Sequence, residues 1–181
     1  MRLKILTYPN PVLKKISKPV GSIEKNTQKL IEDMFETMYD APGVGLAAPQ
    51  VGISTRILVI DVGRLENEVR QPDPKALLNP IITLREEKII WEEGCLSLPS
   101  LTLPMERSKK IIVEGLDISG KPVKYLAEDL LAVAFQHEID HLDGKLLVDK
   151  LSHLKKDLYL KKLKKLEETG EIEKGRGVYV G

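Results

Sequence analysis

The spacing of apolar residues near the N-terminus predicts a helix. Between residues 22 and 40, Ile, Leu, Met and Phe side chains recur every three or four positions, which is the period of an amphipathic helix. Pro42 and Gly43 follow directly and should end this helix. Upstream, Pro11 occupies a position from which a short helical turn can begin.

Two further helices are predicted in the second half of the chain. Residues 128–142 are apolar almost all round in their first half, so this helix should be central and buried. Asp129 is its expected N-cap and Gly144 its expected stop. Residues 151–168 combine Leu with Lys at helical spacing and predict a C-terminal amphipathic helix, and 169–181 are expected to form a flexible tail.

The intervening segments have the character of β-strands. RILVIDV and ALLNPIITL are typical of buried strands, EEKIIWEEGC of a strand that ends at its glycine, and KKIIVEGLDISGKPVKYLAE of a hairpin around SGKP. GVGLAAPQVG, with three glycines, predicts a loop or an irregular strand. Because strands and helices do not alternate as βαβ units, we predict an α+β fold in one domain, 1–168. Mixed, largely antiparallel sheets should pack around the central helix.

Composition narrows the function classes. The 181 residues carry a net charge of +1, so no global field favours nucleic acid or membrane. An aromatic content of 4% argues against a stacking platform for single-stranded nucleic acid. We expect neither a signal peptide nor a membrane span, and the single cysteine makes the reducing cytoplasm the default location.

The segment HEIDH carries the strongest chemical signal. His137 and His141 lie four residues apart on one helix face, so both imidazoles can reach a single metal ion. Glu138 is rotated by about a quarter of a turn and can reach a ligand of that ion. The chain has only one other histidine, His153. The alternative is a chance occurrence on an ordinary helix, which the apolar surroundings disfavour.

Two histidines leave such a site one protein ligand short. One metalloprotease pattern needs a third histidine; Gly144 matches that pattern, but Leu147 occupies the ligand position. Another class takes a glutamate from a following helix, for which Glu167 and Glu168 are candidates. Cys95 in EEGCLSLP is the better candidate, because one thiolate with two imidazoles accepts Zn²⁺ and Fe²⁺ alike. A structural metal site in a non-enzymatic interaction domain would need a fourth protein ligand, and the chain has no second cysteine.

With these residues identified, the chain resembles the peptide deformylase family. GVGLAAPQ at 43–50, EGCLS at 93–97 and HEIDH at 137–141 occur in the order and spacing of that family. The resemblance extends over nearly the whole chain. It implies removal of the formyl group from N-terminal formyl-methionine of nascent peptides, with a divalent metal, usually Fe²⁺ but also Zn²⁺, Ni²⁺ or Co²⁺.

The resemblance also implies roles for individual residues. Cys95, His137 and His141 would be the metal ligands and Glu138 the general acid and base. Gln50 and the backbone N–H of Leu96 would stabilise the oxyanion. The remaining expectations concern a peptide-binding groove with an apolar pocket, and a supporting pair between Arg107 and Asp140. The groove and pocket residues are Val44, Gly45, Trp91, Glu93, Gly94, Leu130 and Val133. The alternative for Val44, Trp91, Leu130 and Val133 is a place in the core, and the alternative for Asp140 is a carboxylate on the helix surface.

The C-terminal helix carries a run of lysines. Such a run is usually a solvated face, and the alternative, which the family resemblance implies, is salt-sensitive docking on ribosomal RNA. We expect no membrane contact and no sequence-specific binding of nucleic acid. The lysines are Lys155, Lys156, Lys161, Lys162, Lys164 and Lys165.

Overall fold

The computed structural model describes residues 1–41 and 43–170, and three α-helices are present in this part. All three match predicted segments, and the predicted tail lies outside the described residues except for Thr169 and Gly170. Pro11 opens a short 3₁₀ helix, as predicted. The helices are α1 (Lys25–Asp40), α2 (Asp129–Leu142) and α3 (His153–Glu168), with 3₁₀ helices at Pro11–Lys14, Ala48–Val51 and Leu147–Lys150.

One five-stranded antiparallel sheet organises the molecule. Its strand order is β1-β2-β5-β6-β7, so β1 lies at one edge and β7 at the other, and β3 and β4 form a separate two-stranded sheet. The strands are β1 (Gly45–Ala47), β2 (Ile57–Ile60), β3 (Arg64–Glu66), β4 (Val69–Gln71), β5 (Lys75–Cys95), β6 (Leu98–Leu116) and β7 (Pro122–Glu128).

The strands β5 and β6 are longer than the sequence predicts. ALLNPIITL and EEKIIWEEGC belong to one continuous strand, interrupted only by register shifts. The first half of β6 was not predicted, and it contains Pro99 and Pro104, which a central strand does not tolerate. There, β6 pairs only with β5, since β7 begins its pairing at Lys110. A proline is tolerated on the unpaired edge of a strand, where no backbone N–H is needed as a hydrogen-bond donor. The predicted β6–β7 hairpin is confirmed.

The helix α2 is central and buried, as predicted. It packs on the face of the sheet formed by β2, β5, β6 and β7, where Phe135 and Ala132 are fully buried. The predicted N-cap is one residue too late, since Glu128 is the cap and the helix begins at Asp129, whose φ of 47° lies in the left-handed region. Gly144 ends the helix with a φ of 70°, as glycine commonly does at this position.

Two other apolar clusters complete the core. The helix α1 packs against β1 and β2 through Ile31, Met34 and Met38. Under α3, Tyr159 and Leu163 pack with Cys95 and neighbouring leucines. The predicted α+β class, with antiparallel sheet around a buried helix, is confirmed. Among the described residues, no helix combines the length and apolar character needed to cross a membrane.

Candidate metal centre

The strand β5 and the helix α2 run side by side and bring the predicted ligands together. Glu93 contacts His137, and Cys95 contacts His141. Two residues along a strand advance about 6.6 Å, and four residues along a helix advance about 6 Å. A strand residue and its second neighbour can therefore each contact one of two helix residues that are four positions apart. The alternation of β5 thus places Glu93 and Cys95 on the face that meets the histidine stripe of α2.

The side chains of Cys95, His137 and His141 form a group that fits a metal ion. Their donor atoms all lie within 4.8 Å of one another, and Cys95 Sγ is 3.1 Å from His141 Nε2. His137 Nε2 is buried without a hydrogen-bond partner. A buried nitrogen left unpaired is costly, and a metal ion would satisfy it. One thiolate and two imidazoles suit a tetrahedral ion that keeps a fourth position for water.

A buried ion-pair network orients His137. Its Nδ1–H donates to Glu93 Oε2 at 2.8 Å, which leaves Nε2 for the metal. Arg107 donates to both oxygens of Glu93, from Nε at 2.6 Å and Nη2 at 2.9 Å. Its Nη1 donates to Asp140 at 2.6 Å, so the predicted pair between Arg107 and Asp140 is present.

Glu93 does not lie where we expected it. We predicted a groove residue, but its side chain has no solvent exposure and its oxygens are engaged by Arg107 and His137. The carboxylate therefore orients protein groups and is not open to a peptide. The sequence held a signal for this role, since Glu93 precedes Cys95 by two residues and must share its face of a strand.

The electrostatics of the network favour a cation. Burial raises the pKa of Glu93, but hydrogen bonds from Arg107 and His137 outweigh burial and hold that pKa below its ordinary value. Burial lowers the pKa of His137, yet contacts with Cys95 and Glu93 raise it well above the usual range. The negative charge that retains a proton on this imidazole would equally attract a divalent metal.

Glu138 lies beside the ligand group and is almost fully buried. Its carboxylate is less stable as an anion in this environment, and burial raises its pKa to about 7. A carboxyl group with a pKa near neutrality can both accept and release a proton at physiological pH.

Gln50 reaches the same group from the 3₁₀ helix after β1. Its Oε1 accepts from the N–H of Ala47 at 2.8 Å, which directs Nε2 toward Ser97 Oγ at 3.3 Å and Cys95 Sγ at 3.7 Å. Leu96 directly follows Cys95 and is 1% exposed. We did not predict Ser97, which holds the amide of Gln50 and gives no sequence signal beyond its place in the motif.

At the edge of the sheet, β1 has unpaired backbone. Asp61 N–H donates to Val44 C=O at 2.9 Å, so the carbonyl of Val44 points toward β2. Because successive residues of a strand point their polar groups to opposite sides, the N–H and C=O of Gly45 point away from β2. They lie on an edge that no other described strand covers.

The predicted pocket residues Trp91, Leu130 and Val133 lie on the strand and the helix that carry the ligand group. Trp91 precedes Glu93 by two residues on β5, and Val133 precedes His137 by four residues on α2, so each shares the face of its element that carries a site residue. Val133 is 1% exposed, whereas Trp91 and Leu130 are partly exposed. Gly94 is buried on β5 beside the cysteine.

The alternative ligands are not near the group. Among residues 1–41 and 43–170, Cys95, His137 and His141 are the only cluster of three suitable side chains. Glu167 and Glu168 are exposed at the C-terminal end of α3. Leu147 packs in the core beneath α3. The protease arrangements considered from the sequence are therefore absent from the described residues.

Comparison with known proteins agrees with this geometry. The profile of the polypeptide deformylase family matches residues 2–157. A peptide deformylase of Hydrogenovibrio crunogenus is 48% identical over 164 residues, which cover 91% of this chain and 94% of the relative. One from Thermodesulfovibrio yellowstonii is 50% identical over 162 residues, or 90% and 96% of the two chains.

Solved structures show the same similarity in three dimensions. A peptide deformylase from Legionella pneumophila has a TM-score of 0.84 and 44% identity, over 94% of this chain and 98% of that one. The Ehrlichia chaffeensis enzyme in complex with actinonin has a TM-score of 0.85 and 39% identity, over 92% and 98%. With the family profile spanning most of its length, the chain belongs to the polypeptide deformylase family and is a deformylase.

Proposed function

We propose that the protein hydrolyses the N-formyl group of formyl-methionyl nascent peptides, giving formate and a free methionyl N-terminus. One observation carries this proposal: Glu138, which directly follows the candidate ligand His137, packs against Gly45 on the free edge of β1. An extended peptide and a hydrolytic centre can therefore meet at one place.

The peptide would bind by adding a strand to β1. The outward N–H and C=O of Gly45 offer one backbone donor and one acceptor, as in other cases of strand addition. Val44 is the adjoining groove residue on this side, and Gly94 on β5 is the proposed groove residue next to Cys95. The methionine side chain would enter the apolar end of the face, between Trp91, Leu130 and Val133.

Cys95, His137 and His141 would hold the metal, which when bound activates water and polarises the formyl carbonyl. Glu138 accepts the proton of the attacking water and passes it to the leaving amine, for which a pKa of about 7 is well suited. The Gln50 amide and the Leu96 N–H donate to the oxygen that gains negative charge. Arg107, Glu93 and Asp140 keep His137 in the tautomer that presents Nε2.

The proposed setting follows from the substrate. Nascent chains are met in the cytoplasm, which is also the location expected from the single cysteine. Fe²⁺ is the proposed native metal, with Zn²⁺, Ni²⁺ or Co²⁺ able to occupy the same ligands. Transient ribosome contact is proposed through the six lysines of α3, all of which are exposed except the partly exposed Lys156.

Formate release from formyl-Met-Ala-Ser by anaerobically purified protein tests the proposal, with acetyl-Met-Ala-Ser as the matched control. We expect release from the formyl peptide only. Glu138→Gln should abolish release while metal content stays near that of the wild type, because the amide cannot accept the proton and Glu138 is not a ligand. Unchanged turnover in this variant would exclude Glu138 as the base.

A further inference from the structure

Within residues 1–41 and 43–170, no hydrogen bond holds the Glu138 side chain in place. Its residue is 1% exposed, and no donor among the described residues reaches Oε2. A buried glutamate has several rotatable bonds, and a proton acceptor must be held close to its target to be effective. Packing must therefore fix the direction of this side chain.

The contact that limits Glu138 is the Cα of Gly45 on β1. A Cβ built at Gly45 would lie 2.4 Å from Glu138 Oε1 and 2.9 Å from both Cδ and Cγ. The outer half of the glutamate thus lies directly on the bare backbone of this strand. Gly45 does not have the positive φ that favours glycine, so its backbone conformation admits alanine and only the close approach excludes a side chain.

Neither element can easily move to make room. Gly45 is buried and pairs with Ile60 in the sheet. On α2, Glu138 is preceded by His137, which is hydrogen-bonded to Glu93, and is followed by Ile139, which packs in the buried core. Because the interior is close-packed, a Cβ added at Gly45 would displace the Glu138 side chain, which can rotate more easily than the strand or the helix can shift.

We propose that Gly45 is a positioning residue for the catalytic carboxylate. Because Gly45 has no side chain, Glu138 packs directly against its backbone and is held in position there. The inference rests on the proposed role of Glu138 as the base. It is separate from peptide binding, since alanine at position 45 keeps the N–H and C=O offered to the substrate, and the three atoms nearest its Cβ all belong to Glu138.

A stability cycle tests the contact without any activity measurement. The melting temperatures of wild type, Gly45→Ala, Glu138→Ala and the double variant are compared. We expect Gly45→Ala to lower Tm more in the wild-type background than in the Glu138→Ala background, where the clashing atoms are gone. Equal losses in both backgrounds would overturn the proposal. If Gly45→Ala alone does not fold, recovery of folding in the double variant supports it, and failure to recover overturns it.

The kinetic test separates positioning from substrate binding. For folded, metal-loaded Gly45→Ala, we expect kcat for formyl-Met-Ala-Ser to fall about 100-fold, as small misplacements of catalytic groups can do. KM should change less than about threefold, and metal content should be unchanged. A raised KM with kcat retained would show that Gly45 serves only the peptide. A wild type that releases no formate would contradict the proposed function and leave the stability cycle valid.

Discussion

Replacing Arg107 by Leu tests whether the buried network beneath the metal ligands is held by charge pairing. Arg107 makes three hydrogen bonds of 2.6 to 2.9 Å, two to Glu93 and one to Asp140. Glu93 has no solvent exposure, so the substitution leaves a buried carboxylate without its cation. Removing one partner of such a pair costs about 3–5 kcal/mol.

For a chain of this size, a loss of 1 kcal/mol lowers Tm by about 2–4 °C, so Arg107→Leu should lower Tm by about 6–20 °C. Scanning calorimetry on metal-loaded and chelator-treated protein measures the shift. Lys88→Ala is the matched control, since Lys88 pairs with Glu106 across the same two strands but at exposed positions. That exposed pair should contribute little.

The Tm difference between wild type and Arg107→Leu should depend on pH in a defined direction. Because the pKa of Glu93 is held below its ordinary value, the pair contributes fully above the ordinary glutamate pKa and loses its contribution as the pH falls through the lowered value. The Tm difference between wild type and Arg107→Leu should therefore narrow below about pH 4. A difference as small as that of Lys88→Ala at pH 7, or one that widens in acid, would refute the reasoning.

Three other predictions concern separate parts of the molecule. Cys95→Ser should lose metal on dialysis, as measured by atomic absorption, because a hydroxyl replaces the thiolate; full retention would mean that Cys95 is not a ligand. Gly144→Ala should lower the free energy of unfolding by about 1–3 kcal/mol in urea titrations, because φ is 70° and a Cβ would lie 2.5 Å from Lys14 O; an unchanged midpoint would contradict this. Charge reversal at Lys161 and Lys165 should weaken co-sedimentation with ribosomes at low salt and leave formate release from free peptides unchanged; equal co-sedimentation would favour a merely solvated face.

Local patterns predicted the regular elements well, and they failed where pairing with a distant strand decided the structure. The helices α1, α2 and α3 were predicted because an amphipathic period is a property of neighbouring residues. The first half of β6 was not, because Pro99 and Pro104 are tolerated only by the free edge that β6 presents there. The single long β5 likewise depends on β6 as its partner.

The sequence by itself predicted the ligand group that this protein offers to a metal. Two imidazoles four residues apart, a glutamate between them and one cysteine predict a shared metal site, since residue type and helical period fix which groups can share an ion. The three motifs then indicated the family.

Only the tertiary structure decided how those groups are supported. Glu93 carries the same negative charge whether it faces solvent or core, and the packing of β5 on α2 turned it from a groove residue into the partner of His137 and Arg107. The contact of Gly45 with Glu138 joins residues more than ninety positions apart and depends on a gap smaller than a methyl group. Such contacts arise from close packing, which the order of residues along the chain does not reveal.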